Sequence, residues 1–220
     1  MVTIMAGIVR LPGLQRQLKL ETDSSEYEQL YDAAQAVKQV PGTICELGVR
    51  FGGSMEIIML SSVGGLDRLY IGIDPWGTLP YYIGKEPKLT GFKYPNEMRL
   101  KAQTGLYTLA EELKMNLVLL PMLDTVFFDV FKQGFPRYHD GIEYLEKTYA
   151  LVHFDAEHTT NAVMREVDFF HSRSSVGAMW VFDDINLFDF DAVSRRVLDM
   201  GFIRYDKKNS TRRATFRKEH

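Results

Sequence analysis

Residues 42–54, Gly-Thr-Ile-Cys-Glu-Leu-Gly-Val-Arg-Phe-Gly-Gly-Ser, constrain the fold more than any other stretch of this chain. Thr43 to Leu47 is a short apolar run with one carboxylate near its end, which suits a strand buried on both faces of a parallel sheet. Gly48, Gly52 and Gly53 then form a turn, and Ser54 opens the apolar helical run Met55–Leu60. Such a strand–glycine turn–helix junction lets the backbone approach a ligand and offers it the free N–H groups of a helix start. The spacing Glu46-x-Gly48-x-x-x-Gly52-Gly53-Ser54 departs from the dinucleotide fingerprint G-x-G-x-x-G, which argues against a nicotinamide-dependent reductase. A carboxylate two residues before the first glycine suits a cationic ligand. S-adenosylmethionine, with an ammonium, a sulfonium and no phosphate, has that character; an ordinary βα turn is the alternative. A bulky side chain at Gly48 is expected to block the cofactor while leaving a folded protein.

The rest of the chain repeats the strand–helix alternation. Ser24 or Ser25 caps a helix from about Glu26 to Lys38, stopped by Pro41-Gly42. A second strand, Leu69–Ile73, closes on Asp74, where a doubly wound sheet grips a ribose diol; a turn-initiating Asp before Pro75 is the alternative. Residues 76–95 are rich in Gly, Pro and aromatics and leave the carboxyl edge of the sheet, as a substrate lid would. A helix over Asn96–Met115 precedes a third strand, Asn116–Leu120. Met122 and Leu123 follow it, where an adenine ring is sandwiched or where the core simply continues. Asp124 caps a short helix to Lys132, residues 133–141 read as irregular, and Ile142–Lys147 as a helical turn. The fourth strand is Tyr149–Asp155, followed by a helix over Asn161–His171. The fifth strand is Ala178–Asp183, followed by a helix from about Asp191 to Met200. Phe202–Asp206 and Arg213–Arg217 make a terminal hairpin. The expectation is one α/β domain over residues 1–220: a doubly wound, mostly parallel seven-stranded sheet, helices on both faces and a C-terminal antiparallel hairpin. Residues 1–40 form an arm and a helix, and residues 42–217 the core. The arm packs on the body or on a second copy, so a homo-oligomer is an open expectation.

Composition narrows the function. The 220 residues are 45% hydrophobic with net charge −3, enough for one sizeable core and too near neutral for a nucleic-acid surface. The basic run from Ser210, STRRATFRKEH, reads as a strand with solvated charges. Cys45 is the only cysteine, so no disulfide forms within the chain and a reducing, cytoplasmic setting is expected. The apolar N-terminal patch is broken by Arg10, lacks a basic lead and is too short to span a bilayer, so neither a signal peptide nor a membrane anchor is expected.

Two acidic clusters carry the chemistry. One is FDAEHTT, with Asp155, Glu157 and His158; the other is FDDIN, with Asp183, Asp184 and Asn186. Each follows a buried strand, at the same sheet edge as the glycine turn. Carboxylates gathered there repel one another unless protonated or bridged by a cation, and a hard divalent ion is the natural bridge. Turn chemistry and helix capping are the alternative. His153 reads as a core or surface histidine rather than a ligand. Asp183→Asn is expected to damage activity far more than folding.

Together, ICELGVRFGGS, YIGIDPWG, LVHFDAEHTTNAV and GAMWVFDDI, in this order and spacing, resemble the class I S-adenosylmethionine-dependent methyltransferases, and among them the macrocin O-methyltransferase and cephalosporin-hydroxylase-like group. The resemblance covers about Gly42 to Ile185. It implies O-methylation of a small hydroxylated molecule, a sugar or natural product, with Mg2+. It places Glu46 and Gly48 at the methionine end of the cofactor and Asp74 on the ribose; Gly52, Gly53, Ser54, Leu123 and Asp155 complete the expected cofactor set. It makes Asp155, Asp183 and Asp184 the metal ligands and Glu157, or failing it His158, the base. Two departures stand out: Ala156 replaces the usual glycine, and Met122-Leu123-Asp124 replaces the usual Gly-Asp-Ser. A non-catalytic cofactor- or sugar-binding protein of the same fold is the alternative. No nucleic acid or membrane partner is expected.

Overall fold

The computed structural model describes residues 18–22, 26–77, 82–89, 94–139, 141–206 and 210–220. Its centre is a seven-stranded sheet. Strands β1 (Thr43–Leu47) and β2 (Leu69–Ile73) are buried at every position, as the unbroken apolar runs require of strands covered on both faces. The first two-stranded excursion, β3 (Tyr82–Ile83) with β4 (Lys88–Leu89), lies within the segment expected to form a lid. The edge strand β5 (Asn116–Leu120) follows. A second excursion pairs β6 (Phe135–His139) with β7 (Ile142–Glu146). The sheet resumes with β8 (Tyr149–Phe154) and β9 (Ser174–Phe182), and ends in β10 (Phe202–Arg204) and β11 (Ala214–Lys218). The order across the sheet is β10-β11-β9-β8-β1-β2-β5. The pairs from β9 to β5 are parallel, and β11 runs antiparallel to both its neighbours.

Helices cover both faces. On one side, α1 (Tyr27–Ala36), α2 (Gly53–Ser61) and α3 (Asn96–Leu113) bury Leu30, Ile57, Met59 and Leu106 against Ile44, Tyr70, Leu151 and Val181. On the other, α4 (Asp124–Val130), α5 (Thr160–His171) and α6 (Phe190–Asp199) bury Phe127, Val167, Phe170 and Val197 against Cys45, Ile71, Val152 and Trp180. The second core is aromatic: Phe154 and Phe182 stack at 4.4 Å, and Trp180 donates its indole N–H to Ser174 Oγ at 2.9 Å. Cys45 is a buried free thiol within it. Among the described residues no helix is long and apolar enough to cross a membrane.

The doubly wound sheet with its terminal antiparallel hairpin is as expected. Local details differ. The cap of α1 is Glu26, in the left-handed region at φ 60° and without a side-chain cap bond; Ser24 and Ser25 lie outside the described residues. Asp124 is the first residue of α4 rather than its cap, which is Leu123. Phe135–His139 and Ile142–Glu146 pair as the β6–β7 hairpin instead of forming an irregular segment and a helical turn. Strand β9 starts at Ser174, four residues earlier than expected, with Gly177 at φ +84° beside a break in the β8–β9 register.

Candidate active site

One row of backbone bonds aligns the carboxyl ends of the central strands. Asp74 N–H donates to the Leu120 carbonyl, Gly48 N–H to Ile73, Asp155 N–H to Leu47, and Asp183 N–H to Phe154, at 2.8–3.2 Å. The residue just past each strand therefore sits at one level, and three of the four are aspartates. Above this row lies a cavity of about 280 Å³. Of the twelve residues singled out from the sequence, eleven line it: Gly48, Gly52, Gly53 and Ser54 of the turn; Asp74 and Leu123; and Asp155, Glu157, His158, Asp183 and Asp184.

Glu46 is not part of the cavity wall. It is fully buried in β1, directly across from His153 of β8, and its Oε1 lies 2.8 Å from His153 Nδ1. His153 is fully buried, as its place inside a strand suggested.

Asp74 is almost fully buried, and both its oxygens accept backbone N–H bonds at 2.7 Å, one from Arg50 and one from Trp76. The bond to Trp76 is the local turn an Asp before Pro favours; the bond to Arg50 ties the glycine turn to β2. Each oxygen retains a further lone pair for a hydroxyl. Burial is the largest influence on this carboxyl and raises its pKa from 3.8 to about 6, against the lowering effect of the two N–H donors. A carboxyl with a raised folded pKa favours the fold below its unfolded value, and that contribution is lost as pH rises through the folded value. Between pH 4 and 6 the ligand-free protein is thus expected to lose up to about 3 kcal/mol through Asp74, since each unit is worth ~1.4 kcal/mol. Thermal unfolding of wild type and Asp74→Asn across pH 4.5–7.5 checks this: the gap between them should narrow or invert with rising pH. A constant gap removes Asp74 from the pH response.

The glycine turn makes room for the chain itself as well as for the cavity. A Cβ on Gly53 would lie 2.4 Å from the Glu21 carbonyl and from Thr22 Cγ2, and one on Gly52 2.9 Å from Leu20 Cδ1. Residues 18–22 are laid across the turn and held there by Glu56 of α2, whose carboxylate accepts the N–H groups of Lys19 and Leu20 at 2.8–3.0 Å. Glu21 reaches the cavity wall. Gly48 meets a different neighbour: its Cβ would lie 1.9 Å from the Asp155 carbonyl oxygen.

The acidic edge already holds cations supplied by the residues just before β11. Arg213, fully buried with its guanidinium 4.5 Å from the Tyr27 ring centre, donates to Asp183 Oδ2 at 2.7 Å. Arg212 donates to Asp183 Oδ1 at 3.2 Å and pairs with Asp184 Oδ1 at 2.9 Å. His158 Nε2 lies 3.5 Å from Asp184 Oδ2 and 3.7 Å from Asp155 Oδ1. Thr159 caps α5 and donates its hydroxyl to Glu157 Oε1 at 3.0 Å. Four carboxylates (Asp155, Glu157, Asp183, Asp184) face two guanidiniums, a formal excess of two negative charges at the edge. Ligand atoms of Asp155, His158 and Asp184 lie within 4.8 Å of one another, as do those of His153, Asp155 and Asp183. This donor set fits a divalent cation.

Sequence reasoning missed Arg212 and Arg213 by reading them as solvated charges. The signal was the antiparallel hairpin: Ala214 pairs with Phe182, so the preceding arginines must come opposite Asp183 and Asp184. It also missed Arg50, Trp76 and Tyr94. Arg50 sits at φ 46° with its guanidinium 5.3 Å from the Tyr94 ring centre, and its carbonyl accepts the Trp76 indole N–H at 3.0 Å. The β3–β4 excursion closes over this side, where Gly84 N–H donates to the His158 carbonyl at 3.0 Å.

No known family's sequence profile matches the chain, and no curated protein sequence matches it. Solved structures do resemble it. CalS11, described as a TDP-rhamnose 3'-O-methyltransferase in calicheamicin biosynthesis, has a TM-score of 0.59 at 17% identity, over 88% of this chain and 80% of that one. A second CalS11 structure gives 0.58 at 16% over the same shares. TomG from Streptomyces achromogenes, an O-methyltransferase of tomaymycin synthesis solved with S-adenosylmethionine, gives 0.55 at 12%, over 91% of this chain and 83% of that one. At these identities the likeness speaks of architecture: the chain has the α/β fold of these methyltransferase structures.

Proposed function

We propose that the protein transfers a methyl group from S-adenosylmethionine to a hydroxyl of a small molecule, a sugar or natural product, with a divalent metal at the acidic edge. The carrying observation is His158, whose Nε2 stands between the carboxylates of Asp155 and Asp184 on the cavity wall. Transfer is an in-line displacement: the acceptor oxygen bonds the methyl carbon, the C–S bond breaks, and its electron pair returns to sulfur as a neutral thioether. The hydroxyl proton must leave to a base held within reach. His158 is that base, since the two flanking carboxylates orient the ring and stabilise the imidazolium that forms. Glu157, the first candidate the sequence names, accepts the Thr159 hydroxyl and is the alternative base. Asp74 receives the ribose hydroxyls, and the Gly48–Ser54 turn faces the methionine end. Asp155, Asp183 and Asp184 would hold the metal, which would supply Lewis acidity at the acceptor hydroxyl. The β3–β4 excursion, in the described part of residues 76–95, acts as the lid.

S-adenosylmethionine is expected to raise the melting temperature of the purified protein, because it binds the native state alone. On a panel of hydroxylated acceptors, His158→Ala should lower turnover on the order of a hundredfold with cofactor affinity little changed, and Glu157→Gln by less. EDTA should stop turnover and added metal restore it; full activity in EDTA removes the metal. A thermal shift without methyl transfer to any acceptor would favour a non-catalytic binding protein.

A further inference from the structure

The pair of Glu46 and His153 is chemically incomplete. Both side chains are fully buried, and two of their polar atoms, Glu46 Oε2 and His153 Nε2, have no hydrogen-bond partner among the described residues. Buried polar atoms are almost always satisfied, so two orphans on one contact pair need a physical account. Side chains alternate across a strand. His153 therefore shares a face of the sheet with Asp155, two residues on, and with Val181, its partner in β9; Asp183 lies two residues beyond Val181. A ring nitrogen of His153 and carboxylate oxygens of Asp155 and Asp183 lie within 4.8 Å of one another. Nδ1 faces the Glu46 carboxylate at 2.8 Å, and the tautomer that donates from Nδ1 to it presents the lone pair of Nε2. The imidazole and the two carboxylates thus bring three Lewis-basic groups within 4.8 Å of one another.

We propose that His153 Nε2, Asp155 and Asp183 ligate a divalent cation, and that Glu46 is the outer partner that fixes the tautomer and orientation of the imidazole. The inference rests on the metal part of the reading above and alters it. An imidazole ligand changes an all-oxygen site, suited to Mg2+, into a mixed nitrogen and oxygen site that favours first-row transition-metal ions. A carboxylate bonded to the nitrogen opposite the metal is the usual support for a histidine ligand. Asp183 can serve through Oδ2, which accepts from Arg213, because Oδ1 already accepts from both Arg212 and the Asp184 N–H and a carboxylate oxygen takes about two bonds. Glu46, absent from the cavity wall, serves the metal rather than the cofactor.

Mn2+ titrated into the protein and followed by electron paramagnetic resonance tests this without reference to activity. Wild type is expected to bind Mn2+ with nitrogen hyperfine coupling, and about a hundredfold excess of Mg2+ should leave the Mn2+ in place. The coupling should persist in His158→Ala, which removes the other nearby imidazole, and vanish in His153→Leu. Glu46→Gln should retain the coupling and weaken Mn2+ binding by about tenfold to a hundredfold; this variant carries the test if His153→Leu does not fold. Bound Mn2+ without nitrogen coupling, or coupling that disappears in His158→Ala, overturns the assignment while leaving a carboxylate metal site. No Mn2+ binding, with S-adenosylmethionine still raising the melting temperature, overturns it together with the metal role and leaves metal-free methyl transfer standing.

Discussion

Asp183→Ala is expected to lower the free energy of unfolding by about 3–5 kcal/mol, the usual cost of removing one partner from a buried ion pair. Asp183 is 1% exposed and Arg213 0%, and their 2.7 Å contact is joined by Arg212 and by the Asp184 N–H. Without the carboxylate, a guanidinium remains sealed between β11 and the Tyr27 ring with its charge uncompensated. From the sequence, Asp183→Asn was expected to damage activity far more than folding; the bonds from Arg212 and Arg213 give the residue a structural role as well, so the alanine variant is expected to cost stability. Urea denaturation of the ligand-free protein measures the loss. The double variant Asp183→Leu with Arg213→Met should recover most of it, since apolar replacement of both partners of a buried pair is often neutral. If Asp183→Ala unfolds at the wild-type midpoint, the pair has no structural weight. Activity losses at Asp183 must accordingly be read only on protein shown to be folded.

The first three strands of the sheet were legible because their signal is local. Thr43–Leu47, Leu69–Ile73 and Asn116–Leu120 occur where the apolar runs predict them. An acid following such a run is local information too, and it marks Asp74, Asp155 and Asp183 at the ligand edge. The β6–β7 hairpin was not legible in the same way. Ile-Glu-Tyr-Leu-Glu places Ile142 and Leu145 three apart, a helical spacing, and Glu and Leu favour helices. Pairing with Phe135–His139 overrides that preference, with Gly141 at φ +77° in the turn; strand propensity depends on such neighbours rather than on the segment alone.

What the sequence withheld at the site is the set of long-range partners. Gly52 and Gly53 read as space for a ligand, yet Leu20, Glu21 and Thr22 occupy the nearest part of that space. Glu46 read as a cofactor contact, and its bonded partner stands 107 residues away in β8. Arg212 and Arg213 read as solvated, and the hairpin register turns them onto the two aspartates that follow β9. In each case the residue type was informative and the neighbour was set by topology.

Gly48→Val, and even Gly48→Ala, is expected to prevent stable folding instead of merely blocking the cofactor. Two costs add. Gly48 sits at φ +88°, a region where a Cβ costs roughly 1–2 kcal/mol. Its Cβ would also stand 1.9 Å from the Asp155 carbonyl oxygen and 2.5 Å from the carbonyl carbon. Those are backbone atoms at the β1–β8 seam, and they cannot yield like the end of a flexible side chain. Gly48 N–H is bonded to Ile73 and Asp155 N–H to Leu47, so relieving the clash means parting the three central strands where the aspartates are aligned. The combined loss is expected to exceed about 4 kcal/mol, among the large effects seen for single substitutions. Gly64→Ala provides the contrast: at φ +77° with nothing within 4 Å of its Cβ, it carries the conformational cost alone, ~1 kcal/mol. Circular dichroism and urea midpoints of the two alanine variants separate backbone strain from collision. Equal, small losses would show that the seam can open at Gly48 and would restore the simpler view of that residue as space for a ligand.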